Sequence, residues 1–97
     1  MARVIYKYHL DLSKIDSDAL IQIDTPSTFK VLSVQPQGDD LMMWVMVIPD
    51  GQITRHYFEI IGTGHTIQRR PYTKRHYHGT VQMPNGLVWH VIEVVTR

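Results

Sequence analysis

The chain contains no cysteine, and its 97 residues include no long apolar stretch. Without cysteine there is neither a disulfide framework nor thiolate chemistry, which suits a reducing cytosol. The longest apolar run, residues 41–49, has the length of a strand, whereas a membrane span needs about 18 or more apolar residues. Residues 1–8 alternate apolar and polar side chains, unlike the apolar core of a signal peptide. We therefore expect a soluble protein with no membrane partner.

Acidic side chains suited to catalysis are also scarce. Glu59 and Glu93 are the only glutamates, and no Ser-His-Asp order or pair of carboxylates suggests a catalytic centre. His78-Gly79-Thr80 matches one half of a two-histidine phosphoesterase, which needs a second such half. His65 and His90 lack the serine or threonine two residues on that a second half requires. We expect a protein that is not an enzyme and uses no cofactor.

Neither sign of charge dominates this short chain. The chain has ten Lys and Arg residues and nine Asp and Glu residues, which gives a formal net charge of +1. That balance disfavours a protein that binds nucleic acid through its overall charge. A chain of this length forms one domain, residues 1–97, and buries only about 60–65% of the surface that it exposes when unfolded. Because its core is thin, we expect a homo-oligomer.

Short β-type segments separated by turn residues run along the whole chain. They predict an all-β fold, mainly β, arranged as a small antiparallel sandwich or barrel of about six to seven strands. The predicted strands are residues 3–10, 19–24, 29–35, 41–48, 52–61, 77–83 and 87–95.

Turn chemistry predicts how several of these strands connect. Pro49-Asp50-Gly51 and Pro84-Asn85-Gly86 each predict a hairpin between the strands that flank them. The polar stretch 11–18 has room for one helical turn, capped by Ser13 or Asp16. Strand 41–48 is apolar on both faces, which predicts either two covering sheet layers or one face covered by another subunit.

The sequence Gly62-Thr63-Gly64-His65 follows the end of a predicted strand. Glycines on either side of a small residue allow positive φ and can expose successive N–H groups, which together form a nest for a phosphate or carboxylate. A β-bulge or tight turn needs the same glycines for geometry alone. Taken by itself, the motif favours this simpler interpretation.

The segment 68–78 carries four fixed positive charges and no acidic residue. Guanidinium groups match phosphate oxygens, and tyrosine rings stack on bases. A solvated loop is the alternative interpretation. Because the segment follows the glycine motif directly, the two together predict one anion-binding mouth. Its candidate ligand-binding residues are Gly62, Thr63, Gly64, His65, Arg69, Arg70, Tyr72, Arg75 and Tyr77.

The histidines raise the question of a metal site. His76 and His78 lie two residues apart, so a strand places them on one face, and His65 or Glu59 would be needed to complete a zinc site. No cysteine pair or His-Glu-x-x-His motif supports such a site, and we expect no bound metal. His90 interrupts an apolar strand and is expected to be a partly buried, hydrogen-bonded histidine.

Several segments together resemble a family of small, uncharacterised proteins of tailed bacteriophages. The resemblance covers nearly the whole chain, and its most specific parts are Gly62-Thr63-Gly64-His65 and the Trp89-His90 strand. The segment 69–75 is more basic than expected of that family. The other matching segments are Ile5-Tyr6-Lys7-Tyr8, residues 29–35, residues 41–49 with Trp44, Gly79-Thr80 and residues 88–93.

This resemblance implies a protein of the host cytoplasm that acts by stoichiometric binding. We expect it to sequester a phosphorylated nucleotide that serves as a bacterial immune signal, an anti-defence role. The alternatives are an inhibitor or adaptor that binds a host or virion protein, and a binder of single-stranded nucleic acid. The expected partners are thus a small anionic nucleotide, a second copy of the chain and, in the alternative, a host protein.

Overall fold

The computed structural model describes residues 2–71 and 73–95. These residues form a short 3-10 helix (Leu12–Lys14) and seven strands, without an α-helix, so the predicted all-β class is confirmed. No helix in this part of the chain is long and apolar enough to cross a membrane. The strands are β1 (Val4–His9), β2 (Ile21–Pro26), β3 (Lys30–Gln37), β4 (Asp40–Val47), β5 (Ile53–Gly62), β6 (Lys74–Gln82) and β7 (Val88–Val95).

The strands form two antiparallel sheets that pack face to face. One sheet has the order β1-β4-β3 and the other has the order β2-β5-β7-β6. Strand β3 of the first sheet lies beside β6 of the second, which closes the sandwich along one side. The predicted sandwich of six to seven strands is therefore confirmed. The strand ends differ from the predicted ones by at most three residues, and β6 starts at Lys74 rather than Tyr77.

One predicted hairpin is confirmed and the other is wrong. Strands β6 and β7 pair across the turn at residues 83–87, where the Met83 N–H donates to the Leu87 carbonyl at 2.8 Å. Strands β4 and β5 do not pair, because β4 lies between β1 and β3 whereas β5 lies between β2 and β7. The Pro49-Asp50-Gly51 turn instead carries the chain from one sheet to the other.

The predicted helical turn is present, but its capping residue differs. Asp11 caps the 3-10 helix by accepting a hydrogen bond from the Ser13 N–H at 3.0 Å. Asp16 closes a separate turn, where its carboxylate accepts from the Leu20 N–H at 3.0 Å. Ser13 therefore lies within the helix, and Asp16 lies beyond its end.

The core lies between the two sheets, and β4 contributes one of its faces to it. Alternate side chains of β4 are buried there, including Met43 and Val45, which are both 0% exposed. The opposite face of β4 carries Trp44 and Met46, which are only half-buried. Among the described residues the other sheet covers only one face of β4, so the first interpretation, a strand between two layers, is wrong. Cover of the other face by a second subunit stays a prediction.

The close approach of β3 and β6 requires a glycine on β6. A Cβ atom added at Gly79 would lie 2.8 Å from Cγ2 of Val34, which is closer than such atoms approach. Val34 is itself nearly buried, at 9% exposure. Gly79 therefore lets β6 approach β3 closely enough to close the sandwich.

We expect Gly79→Ala to lower the free energy of unfolding by about 1–3 kcal/mol, because the new methyl group overpacks this contact. Urea denaturation followed by circular dichroism measures the change. In a Val34→Ala background the same substitution should cost much less, since the opposing methyl group is gone. An equal cost in both backgrounds would contradict the contact.

Candidate functional site

The 62–65 turn is a tight turn that ends β5. The His65 N–H donates to the Gly62 carbonyl at 3.0 Å, and the Thr63 N–H donates to the Val88 carbonyl at 3.3 Å. Gly64 has a φ of +87°. Two of the turn's N–H groups are thus used within the chain, so the nest of successive free N–H groups is not formed. The simpler interpretation, glycine required for turn geometry, fits this arrangement.

The two glycines of this turn have different reasons to be glycine. Gly64 needs its positive φ, which residues with a side chain rarely adopt. Gly62 needs space, because an added Cβ would lie 2.7 Å from the ring of His65 and 3.3 Å from the ring of Trp89. The imidazole of His65 therefore folds back over the end of β5, close to the indole of Trp89.

His90 is the centre of a hydrogen-bond network that joins β6 and β7 to this turn. Its Nε2 lies 2.8 Å from the Thr63 hydroxyl, and its Nδ1 lies 2.8 Å from the Tyr77 hydroxyl. Thr80 approaches the same Nδ1 at 3.3 Å and also bonds to Tyr77. Both ring nitrogens are therefore satisfied, which confirms the expected role of His90. A neutral imidazole donates through one nitrogen and accepts through the other.

A cavity of about 290 Å³, the turn pocket, opens beside this network. Three isoleucine side chains line it, and the polar groups of the His90 network lie at its wall. None of its lining residues is Lys, Arg, Asp or Glu, so it holds no fixed charge. It is lined by Ile61, Gly62, Thr63, Gly64, His65, Ile67, Tyr77, His90 and Ile92.

Two of the predicted phosphate-binding arginines have a partner inside the chain. Arg70 Nε lies 2.8 Å from one oxygen of Glu59, and Arg75 Nε lies 2.6 Å from the other. Glu59 is only 1% exposed, on the same strand that leads into the turn. A buried carboxylate therefore holds both guanidinium groups, and their predicted contact with a ligand's phosphates stays a prediction.

The charge of Glu59 is stabilised by these neighbours. Burial alone would raise the pKa of this carboxyl group, since it disfavours the charged form. The hydrogen bonds and positive charges of Arg75 and Arg70 outweigh that effect and hold the pKa of Glu59 below its ordinary value. We call these three side chains the Glu59 clamp.

The Glu59 clamp also anchors the segment that follows the turn. Arg70 donates to the Asp18 carbonyl at 2.5 Å, and Arg75 donates to the Gln68 carbonyl at 2.5 Å. Beneath the segment, Ile92 is only 6% exposed. The basic segment is therefore tied to the sheet by its own arginines and is not a freely solvated loop.

The structure brings together one part of the predicted site and separates another. The four residues of the 62–65 turn and Tyr77, which is 57% exposed, all line the turn pocket. Arg69 is exposed and forms no ion pair with the residues that the structure describes. Tyr72, a predicted stacking residue, lies outside the described residues.

Four pocket residues were missed by the sequence analysis. His90 carried a signal, since it is a polar residue that interrupts an apolar strand at an even spacing from Ile92. Ile61, Ile67 and Ile92 carried none, because isoleucine in a β-type segment usually belongs to a core.

A second polar cluster lies away from the turn pocket, around Glu93. Its carboxylate lies 2.9 Å from His78 Nε2 and 3.5 Å from His56 Nδ1, and Phe29 stacks on the His56 ring at a centroid distance of 3.9 Å. Burial would raise the pKa of Glu93, but the hydrogen bond from His78 and the nearby histidine charges lower it.

The structure can be compared with the zinc site that the sequence analysis considered at His76 and His78. A β-bulge at His78 breaks the two-residue period that was expected to align it with His76. Among residues 2–71 and 73–95, no three His, Asp or Glu side chains are placed to hold a metal ion.

Fold and site together define a small antiparallel β-sandwich with a neutral pocket at the end of one sheet. The chain belongs to the family described as a domain of unknown function, DUF7352, whose model matches residues 1–97. No curated protein and no solved structure matches the chain. The bacteriophage resemblance stays a prediction.

We expect Glu59→Gln to lower the free energy of unfolding at pH 7 by about 2–4 kcal/mol, because two partly buried arginines lose their counter-charge. The pKa of Glu59 is lowered, so its contribution is complete above the ordinary glutamate pKa of about 4.3 and is lost as the pH falls through the folded value. The difference between the two proteins should therefore shrink below about pH 4.

Urea denaturation at a series of pH values measures this difference. Asp24→Asn is the matched control, because Asp24 forms an exposed ion pair with Arg55. Exposed pairs contribute little, so the control should barely change stability. A pH-independent difference between the wild type and Glu59→Gln would argue against a charged carboxylate at this position.

Proposed function

We propose that the protein binds a nucleotide without altering it chemically and holds the base in the turn pocket. The observation that supports this proposal is that the turn pocket combines apolar walls with a hydrogen-bond network at one side. Ligand sites typically combine predominantly apolar surface with a few placed polar groups, in cavities that start at about 300 Å³. The turn pocket, at about 290 Å³, lies just below the lower end of that range.

The polar groups of the pocket suit the edge of a base. The hydroxyls of Thr63 and Tyr77 each bond to His90, and each keeps a further lone pair for a ligand. Isoleucine side chains contact the faces of a flat ring, and the exposed ring of Tyr77 provides a stacking surface. An uncharged base satisfies such a site better than a phosphate does, since no fixed cation lines it.

The phosphates then lie outside the pocket, above the turn. His65 lines the pocket mouth, and Arg69 follows it in the same exposed segment. The Glu59 clamp holds two arginines against one carboxylate, which leaves one unit of positive charge on the clamp. Phosphate attraction is therefore modest, and base contacts supply most of the affinity.

Binding without reaction fits a sequestering role. The Glu59 carboxylate is committed to two arginines, and both nitrogens of His90 are committed to hydroxyl groups. Neither group is therefore poised to activate a nucleophile on a ligand in this pocket. In a bacteriophage protein, such binding would withdraw a nucleotide immune signal from the host.

A second candidate function is binding of a protein partner through the outer face of β4. Trp44 and Met46 are half-buried there, and on the neighbouring strand Ile5 is 59% exposed. An exposed apolar patch of this kind is typical of a protein interface. A second copy of the chain or a host protein would cover it.

Calorimetric titration with a panel of nucleotides tests the main proposal. We expect saturable binding, and we expect Thr63→Val to weaken it by up to about tenfold, because a hydrogen bond between uncharged groups contributes about 0.5–1.5 kcal/mol. Thr66→Val is the matched control, since Thr66 is exposed in the same segment but does not line the pocket. The ligand should be recovered intact after the protein is denatured.

Two outcomes would count against the proposal. If no nucleotide gives a heat of binding, the proposal is wrong. If both threonine variants lose the same affinity, the nucleotide does not bind in the turn pocket. The phosphate position has its own check, since Arg69→Ala should weaken binding whereas Lys7→Ala, on the other sheet, should not.

A further inference from the structure

A second cavity shares the 62–65 turn with the turn pocket. It measures about 250 Å³, and we call it the hairpin pocket. Gly62, Thr63 and His65 line both cavities. The remaining wall comes from the end of the turn between β6 and β7 and from the start of β7, at residues 86–89. The 62–65 turn is therefore a ridge with one cavity on each side.

The two cavities are alike in chemistry. The hairpin pocket is lined by Leu87, Val88 and the half-buried Trp89, and by no Lys, Arg, Asp or Glu. Its indole lies beside the ridge, because the Trp89 ring is 3.3 Å from the Cβ position of Gly62. Indole faces are strong stacking surfaces for bases. Each cavity thus offers one aromatic residue among apolar walls to a flat, uncharged ring.

The ridge between them differs from the cavities. Thr63, Gly64 and His65 are exposed, and a Cβ added at Gly64 would meet no atom within 4 Å, so the space above the ridge is open. The Thr63 hydroxyl is bonded to His90, and the imidazole of His65 is exposed on this ridge. A polar or charged linker fits there, because an apolar one would remove water from this imidazole without offering it a partner.

We infer that the ligand is a dinucleotide that straddles the 62–65 turn. One base occupies the turn pocket, the other occupies the hairpin pocket beside Trp89, and the phosphate linkage crosses the ridge over Gly64. This inference rests on the proposed function, and it adds the ligand class and the second binding cavity. A mononucleotide fills only one of two similar cavities and therefore binds more weakly.

Tryptophan fluorescence tests the inference, because the chain holds only two tryptophans. Trp44→Phe leaves Trp89 as the single reporter, on the wall of the hairpin pocket. This protein is titrated with a mononucleotide and with linear and cyclic dinucleotides carrying the same base. We expect the dinucleotide to bind at least tenfold more tightly and to change the Trp89 emission.

A charge placed in the hairpin pocket gives a second, independent measurement. Leu87 is 51% exposed, so Leu87→Asp should leave the fold intact. We expect this variant to weaken dinucleotide binding at least tenfold and to weaken mononucleotide binding much less, because the turn pocket still accepts a single base. Gln82→Asp is the matched control, because Gln82 is exposed on the same hairpin but lines neither cavity.

The outcomes separate this inference from the proposed function. Equal affinity for mononucleotide and dinucleotide, with no response from Trp89, overturns the inference and leaves nucleotide binding in place. Equal effects of Leu87→Asp and Gln82→Asp on dinucleotide binding also overturn it. Failure of every nucleotide to bind overturns both.

Discussion

The buried carboxylate of Glu59 controls the surface around the turn pocket. A glutamate at 1% exposure is unfavourable unless its charge is matched, and Arg70 and Arg75 match it from the segment that follows the 62–65 turn. By meeting this requirement they fix the segment against the sheet. The segment in turn places Ile67 on the pocket wall. The shape of the pocket therefore depends on an ion pair that is not part of it.

The Glu59 clamp fixes the position of the segment more than it stabilises the fold. Apolar residues in place of a buried ion pair often give equal or greater stability, because the charges need not be desolvated. An apolar contact, however, would accept several positions of the segment. The carboxylate accepts few, since each of its oxygens receives a guanidinium Nε within 2.8 Å. A preformed pocket benefits from this restriction, because a ligand then does not have to order the segment.

The sequence predicted features that depend on local patterns and missed those that depend on distant contacts. Alternating side chains and turn residues located the strands and the β6–β7 hairpin. The turn after β4 has the same local chemistry, yet β4 and β5 belong to different sheets, since their pairing is decided by strands far away in the sequence. The same difference between local and distant contacts applies to the candidate site. Arg70 is 11 residues from Glu59, and nothing local indicated that this acid would neutralise it.

Protonation of Glu59 would have two opposite effects on ligand binding. Neutralising Glu59 by protonation would leave Arg70 and Arg75 uncompensated, which favours an anionic ligand. The same protonation removes the anchor of the segment that forms the pocket wall. Because the pKa of Glu59 lies below its ordinary value, the anchored state is complete at neutral pH. The Glu59 clamp thus commits both arginines to ordering the pocket wall, which supports the proposed recognition through bases rather than through charge.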